Sequence, residues 1–233
     1  MSKIIIITGS RKGIGRHLVE HYLGKGMNVC GCSRGESDLV HSNYDHYCLD
    51  VADENRVIRM VADITRKYGK IDCLINNAGI ASMNHSFLTP VSVLEKVLST
   101  NVLGTFLFCR EVAKVMARKK SGRIVNFATV ATPMKLEGES VYAASKAAVE
   151  NLTKLLAKEF AAFNITINAL GPTPVYTDLI KNVPKEKIDA LLCMQAIHKL
   201  GTMDDIANVC DFFISPRSAF ITGQVLYLGG VTN

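Results

Sequence analysis

The chain has 233 residues, 48% hydrophobic and 21% charged, and a net charge of +6. That balance belongs to a globular protein with a large core and excludes a disordered or fibrous one. No run of Lys or Arg exceeds Arg118-Lys119-Lys120, so the charge reads as solubility, with attraction to an acidic partner or a phosphorylated ligand left open, and not as a nucleic-acid surface.

Seven cysteines (Cys30, Cys32, Cys48, Cys73, Cys109, Cys193 and Cys210) are odd in number and lack paired metal-like spacing, which points to a reducing compartment and no metal site. Most lie inside apolar segments, where a free thiol behaves as a small hydrophobe. The apolar run after Lys3 is only four residues, too short for a signal peptide or a membrane span. A cytoplasmic protein with no membrane partner is expected.

Ile4-Ile5-Ile6-Ile7 reads as a parallel strand buried on both faces. It runs into Thr8-Gly9-Ser10-Arg11-Lys12-Gly13-Ile14-Gly15, and a helix follows through Leu23. Glycines there permit a tight turn and close backbone approach, and a helix N-terminus offers unpaired N–H groups to phosphate. Met27 to Cys32 is a second strand ending at Ser33-Arg34. In NAD-specific dinucleotide folds an acid near this point binds the ribose 2′-hydroxyl, whereas an arginine can receive a 2′-phosphate; this sequence has no acid there and offers Arg34.

Tyr44 to Leu49 is a third strand, ending at Asp50-Val51. Asn55 to Lys67 forms a helix with Val57, Met60, Val61 and Ile64 on one face. Cys73-Leu74-Ile75 is a fourth strand that delivers Asn76-Asn77-Ala78-Gly79. Val93 to Met116 is a long helix in which Asn101 is locally unfavourable, because its amide competes with backbone hydrogen bonds. Arg123 to Ala128 is a fifth strand, with Thr129 at its carboxyl end, where open α/β sheets bind ligands. Helical spacing resumes at Val141, and Tyr142 and Lys146, four residues apart, leave the same face. A neighbouring ammonium favours the ionised phenol, which would make Tyr142 a usable acid. Ile165 to Leu170 and Val225 to Leu228 complete seven strands. Thr202-Met203-Asp204-Asp205 opens the last helix with a cap and first-turn acids. Strands alternating with helices, without repeats or linkers, predict one doubly wound parallel sheet over residues 1–233, a single Rossmann-like α/β domain.

Thr8 to Gly15, Asn76 to Gly79, Asn101, and Tyr142 with Lys146 together resemble the short-chain dehydrogenase/reductase family, from Ile4 to Gly230, with bacterial 3-oxoacyl-(acyl-carrier-protein) reductases nearest. The resemblance implies hydride transfer between nicotinamide and a carbonyl or alcohol carbon. It makes Tyr142 the proton donor, Lys146 its tuner and the holder of the nicotinamide ribose, Asn101 part of a proton relay, and Thr129 a catalytic hydroxyl. Cofactor contacts fall on Gly9, Ser10, Arg11, Gly13, Ile14 and Gly15 of the turn, Ser33 and Arg34, Asp50 and Val51, Asn77, Ala78 and Gly79. Tyr142, Lys146, Pro172 and Thr177 complete that set. NADP(H) is preferred over NAD(H) on the strength of Arg34 and Arg11. Residues 175–200 read as a substrate flap, with Leu179, Ile180, Ile188, Leu191, Leu192, Met194 and Ile197 offering an apolar surface or a core-facing helix. The substrate is a small-molecule or carrier-bound ketone. A polyketide or sugar reductase and a nucleotide sensor without turnover are the alternatives. Leu103, Phe106, Leu107 and Phe108 on one helix, with Leu155, Leu156 and Phe160 on the next, lead to a homo-oligomer, a tetramer by resemblance. Three positions depart from the family pattern: Thr129 for serine, Thr173 after Pro172, and Leu228 before Gly229-Gly230.

Overall fold

In the computed structural model, which describes residues 2–176 and 185–232, the isoleucine run becomes β1 (Ile4–Thr8), buried throughout. β1 pairs in parallel with β2 (Asn28–Ser33) and with β4 (Cys73–Asn76). β3 (Tyr44–Cys48) extends the sheet beyond β2, and β5 (Gly122–Phe127), β6 (Ile165–Gly171) and β7 (Val225–Tyr227) extend it beyond β4. The order β3-β2-β1-β4-β5-β6-β7 changes direction at β1. A crevice therefore opens at the carboxyl ends of β1 and β4, the place where such sheets hold ligands. The seven-stranded doubly wound α/β sheet is the one read from the sequence.

Alternate residues of β1 feed two different cores, as a period of two requires. Ile4 and Ile6 pack with Val57, Met60, Val61 and Ile64 of α2 (Glu54–Tyr68) and with Phe108, Val112 and Met116 of α4 (Gly104–Lys119). Ile5 and Ile7 pack with Leu18 and Val19 of α1 (Gly13–Gly24) and with Ile206, Cys210 and Phe213 of α8 (Met203–Ile214). At the start of α8, Thr202 and Asp205 form a reciprocal capping box, which satisfies two backbone donors at once.

The helix expected over Val93–Met116 is longer and is not regular. It runs as α3 (Val91–Leu98), a π turn (Ser99–Leu103), then α4. Wide turns of this kind arise where a side chain draws the backbone away from the regular ladder. Here buried Asn101 sends its carboxamide to the backbone of Ile80, and its carbonyl accepts from the Thr105 hydroxyl at 2.7 Å. Val91–Lys119 is long and apolar enough to cross a membrane, yet Leu107, Phe108, Cys109, Val112 and Met116 sit in the core against the sheet. Its other face leaves Leu94, Leu98, Leu103 and Phe106 exposed, and Leu155 is exposed on α6 (Ser140–Phe160). Of the residues expected on an interhelical surface, Leu107, Phe108 and Leu156 therefore belong to the core instead.

Candidate active site

The glycine-rich turn between β1 and α1 is built for a close-lying ligand. Gly9 and Gly13 have φ of 67° and 54°, values that side-chain-bearing residues avoid. A Cβ on Gly15 would overlap the carbonyl oxygen of Gly9, so the first turn of α1 lies directly on the loop. Lys12 caps α1 with no side-chain hydrogen bond, leaving the helix's leading N–H groups open to an anion. Asn77 staples the turn from β4, its Nδ2 donating to Thr8 O at 3.0 Å and to Gly9 O at 3.2 Å. Ala78 N donates to the Thr8 hydroxyl at 3.0 Å. These features fit a dinucleotide pyrophosphate.

A cavity of about 990 Å³ extends from this turn. Gly9, Arg11, Gly13, Ile14, Ser33, Arg34, Asp50, Val51, Asn77, Ala78, Gly79, Tyr142, Lys146, Thr129 and Pro172 all line it. At one end, Arg11 and Arg34 are exposed, and among the described residues neither joins an ion pair. The end of β2 carries Ser33-Arg34 and no acid, with Asp50 of the neighbouring strand end also in the lining, so the two unpaired guanidinium groups can meet an anionic ligand.

At the other end, Thr129 lies between β5 and the short α5 (Ala131–Met134), and Tyr142 and Lys146 leave the first turns of α6, on one wall of the same cavity. Lys146 is 4% exposed and its Nζ donates to Phe127 O at 2.7 Å. Burial holds its ammonium down at about 8, with Glu150 opposing. The Tyr142 phenol is pushed up to about 12 by burial, opposed by a hydrogen bond with the Thr129 hydroxyl. Removal from water thus dominates the phenol in the free protein, with the Glu139 carboxylate adding to the rise, in place of the lowering expected from the Lys146 ammonium.

The sequence matches the family model described as short chain dehydrogenase over residues 3–188. The chain belongs to the short-chain dehydrogenase family. It is 31% identical to a 3-oxoacyl-[acyl-carrier-protein] reductase of Vibrio cholerae, over 98% of this chain and 96% of that one. Among solved structures, ElxO with NADP bound aligns with TM-score 0.91 and 33% identity, covering 99% of this chain and 98% of its own. An aldohexose dehydrogenase of Thermoplasma acidophilum, in ligand-free form, aligns with TM-score 0.90 and 27% identity, covering 99% and 94%. This short-chain dehydrogenase is accordingly an oxidoreductase of CH–OH and C=O groups that uses a nicotinamide cofactor.

Among the described residues, three expected site residues of the dehydrogenase do not line the cavity. The side chain of Ser10 is fully buried and turned away from the cavity, donating to Cys32 O at 3.3 Å. Gly15 does not line the cavity, because it is covered by Gly9. Asn101 lies behind the wall, accepting from Ile80 N at 2.9 Å and donating to Ile80 O at 3.0 Å and to Ser145 Oγ at 2.9 Å. Thr177, Leu179 and Ile180 lie outside the described residues. On α7 (Lys185–Cys193) and just after it, Ile188, Leu191 and Met194 line the cavity, whereas Leu192 and Ile197 do not. Thr173, at the unusual rim position, is buried and donates its hydroxyl to the Gln195 side chain.

Sequence reasoning gave no role to two groups at or behind the dehydrogenase's cavity. Thr8 supplies a hydroxyl to the turn from the last position of β1, a strand-end threonine that its place before Gly9 could have flagged. Glu139, one helical turn before Tyr142, also lines the cavity, with its carboxyl pKa raised by burial and Lys187 opposing. Its side chain would have been found by the i, i+3 rule applied backwards from Tyr142.

Proposed function

We propose that this chain is an NADPH-dependent reductase of ketones, with a 3-oxoacyl thioester, carried or free, as the substrate class best supported. The observation that carries this reading is the convergence of Thr129, Tyr142 and Lys146 on one cavity whose far wall is apolar, from Ile188, Leu191 and Met194. A bound nicotinamide supplies the hydride. Tyr142 donates the proton to the developing alkoxide, Thr129 steadies the carbonyl oxygen by hydrogen bonding, and Lys146 holds the nicotinamide ribose. Asn101 fixes the backbone of Ile80 beside Lys146 and sustains the relay that returns a proton to the phenol. Gly9, Gly13 and Ile14 receive the pyrophosphate, Asp50 and Val51 the adenine end, and Ala78, Gly79 and Pro172 flank the nucleotide. Arg11 and Arg34 receive the 2′-phosphate, which sets the preference for NADP(H). Thr177 keeps its proposed contact with the nicotinamide carboxamide. Residues 175–200 act as the substrate flap of a single domain. The exposed apolar residues of α3, α4 and α6 are covered by other copies, giving a tetramer that works in the cytoplasm, in fatty-acid synthesis.

A second reading, a reductase of a polyhydroxylated carbonyl, is favoured by Glu139, whose half-buried carboxyl beside Tyr142 is an acceptor for substrate hydroxyls. The test is a panel of 3-oxoacyl thioesters, simple ketones and aldoses, each assayed with NADPH and with NADH. Thioester turnover with NADPH supports the first reading, and sugar turnover alone replaces it with the second. Nucleotide binding without any turnover would leave a non-catalytic sensor.

A further inference from the structure

Behind the corner that carries Arg34 lies a polar network absent from any role described so far. His46, in the middle of β3, is held at both ring nitrogens. Its Nε2 lies 3.0 Å from Gly35 O and 3.1 Å from Ser33 Oγ, and its Nδ1 lies 2.9 Å from the Tyr44 hydroxyl. A carbonyl can only accept, so Nε2 carries a proton toward Gly35 O, while Nδ1 pairs with the Tyr44 hydroxyl. Ser33 donates to the same Gly35 carbonyl at 2.7 Å. Its proton is therefore engaged by the loop. Ser10 completes the set, 3.1 Å from the Tyr44 hydroxyl and 3.5 Å from Nδ1.

Two further observations show that this arrangement is built in. A Cβ on Gly31 would overlap both the Ser10 and Tyr44 hydroxyls, so β2 carries a glycine where the network crosses it. A Cβ on Gly35 would lie 3.2 Å from Arg11 Nη1. The Arg11 guanidinium thus rests on the very residue whose carbonyl His46 holds, with Arg34 the preceding residue. The peptide that His46 holds thus adjoins both cations.

We propose that His46 is a positioning residue for recognition of the cofactor's 2′-phosphate: through Gly35 it pre-orders the Arg11–Arg34 corner, lowering the ordering cost of binding. The inference rests on the NADP(H) reading above. Phenylalanine at this position keeps the ring's volume and loses both hydrogen bonds, whereas the amide of glutamine can donate to Gly35 O and accept from Tyr44.

The test measures Kd for NADPH and NADH in the binary complex by nucleotide fluorescence, for wild type, His46→Phe and His46→Gln. His46→Phe should weaken NADPH about fivefold to tenfold, the scale of one or two lost hydrogen bonds, and leave NADH within about twofold. In assays the KM for NADPH should rise while kcat holds, and His46→Gln should recover most of the affinity. Equal weakening of both nucleotides, or none, overturns the proposal. A wild type without NADPH preference fails the cofactor reading instead. Should His46→Phe not fold, nitrogen-15 spectra of the wild-type imidazole decide. An Nε2–H tautomer whose signals move with NADP and not with NAD supports the role, and an Nδ1–H tautomer or no selective movement overturns it.

Discussion

The ammonium of Lys146 donates to the main-chain carbonyl of Phe127 at 2.7 Å, two residues before Thr129. The strand end and the helix are thereby tied at one buried cation. Burial holds that lysine's proton at about 8, so in the free enzyme it is charged below pH 8 and increasingly neutral above. A neutral amine is a weaker partner for a ribose hydroxyl. The value of kcat/KM for the nucleotide, which reports groups of the free enzyme, should fall as pH rises through about 8. Lys146→Arg should move that alkaline limb upward, since a guanidinium stays protonated. A profile flat to pH 10 in the wild type would contradict the assignment.

Tyr142→Phe removes one transferable proton and little volume. Nucleotide affinity should stay near that of the wild type, and kcat should drop by about a hundredfold to ten-thousandfold. Near-normal turnover of the variant would show that another group is the acid.

The Thr129 hydroxyl favours the ionised form of the Tyr142 phenol, and its Oγ1 accepts from Ala131 N at 3.3 Å. Thr129→Ser keeps the hydroxyl and should stay active. Thr129→Val keeps the shape and loses the hydroxyl, so kcat should fall by about a hundredfold, as when an oxyanion donor is removed. A fully active valine variant would remove the hydroxyl from the chemistry.

Arg34→Ala should cost on the order of 1.5–3 kcal/mol in NADPH binding, the range for a hydrogen bond to a charged group, with little change for NADH. Ser33→Asp should go further by setting a carboxylate against the phosphate. Dissociation constants for both nucleotides check this, and parallel losses for the two would rule the corner out as the 2′-phosphate site.

Leu94, Leu98, Leu103, Phe106 and Leu155 are exposed together on α3, the π turn, α4 and α6. Light scattering at micromolar concentration should give a multiple of the 25.4 kDa chain mass. Phe106→Glu with Leu155→Glu should shift it toward the monomer. A wild-type monomer would refute assembly through this surface.

What could be seen in the sequence was local. The β-branched run of β1 and the Thr202 cap each follow from neighbours within a few residues, and both formed as read. The Tyr142–Lys146 spacing was visible for the same reason. Its electrostatics were not, because the burial that raises one group and lowers the other comes from distant chain. Asn101 could be flagged as misplaced in a helix, but its partner Ile80 is 21 residues away. Ser10 looked like a ligand contact because of its place in the turn; Tyr44 and His46, across β2, turn it inward.

The burial of the cysteines has a practical consequence. Cys30, Cys32, Cys73, Cys109 and Cys210 are buried and Cys48 is half-covered, leaving Cys193 as the exposed thiol. Burial pushes the thiols of Cys30, Cys32, Cys73 and Cys109 up to about 12, and it is the thiolate that attacks an alkylating reagent. A maleimide dye should therefore mark Cys193 first, at the end of α7 and next to cavity-lining Met194. The unmutated protein thus offers a preferred attachment point for a fluorescence reporter on the segment that borders the cavity.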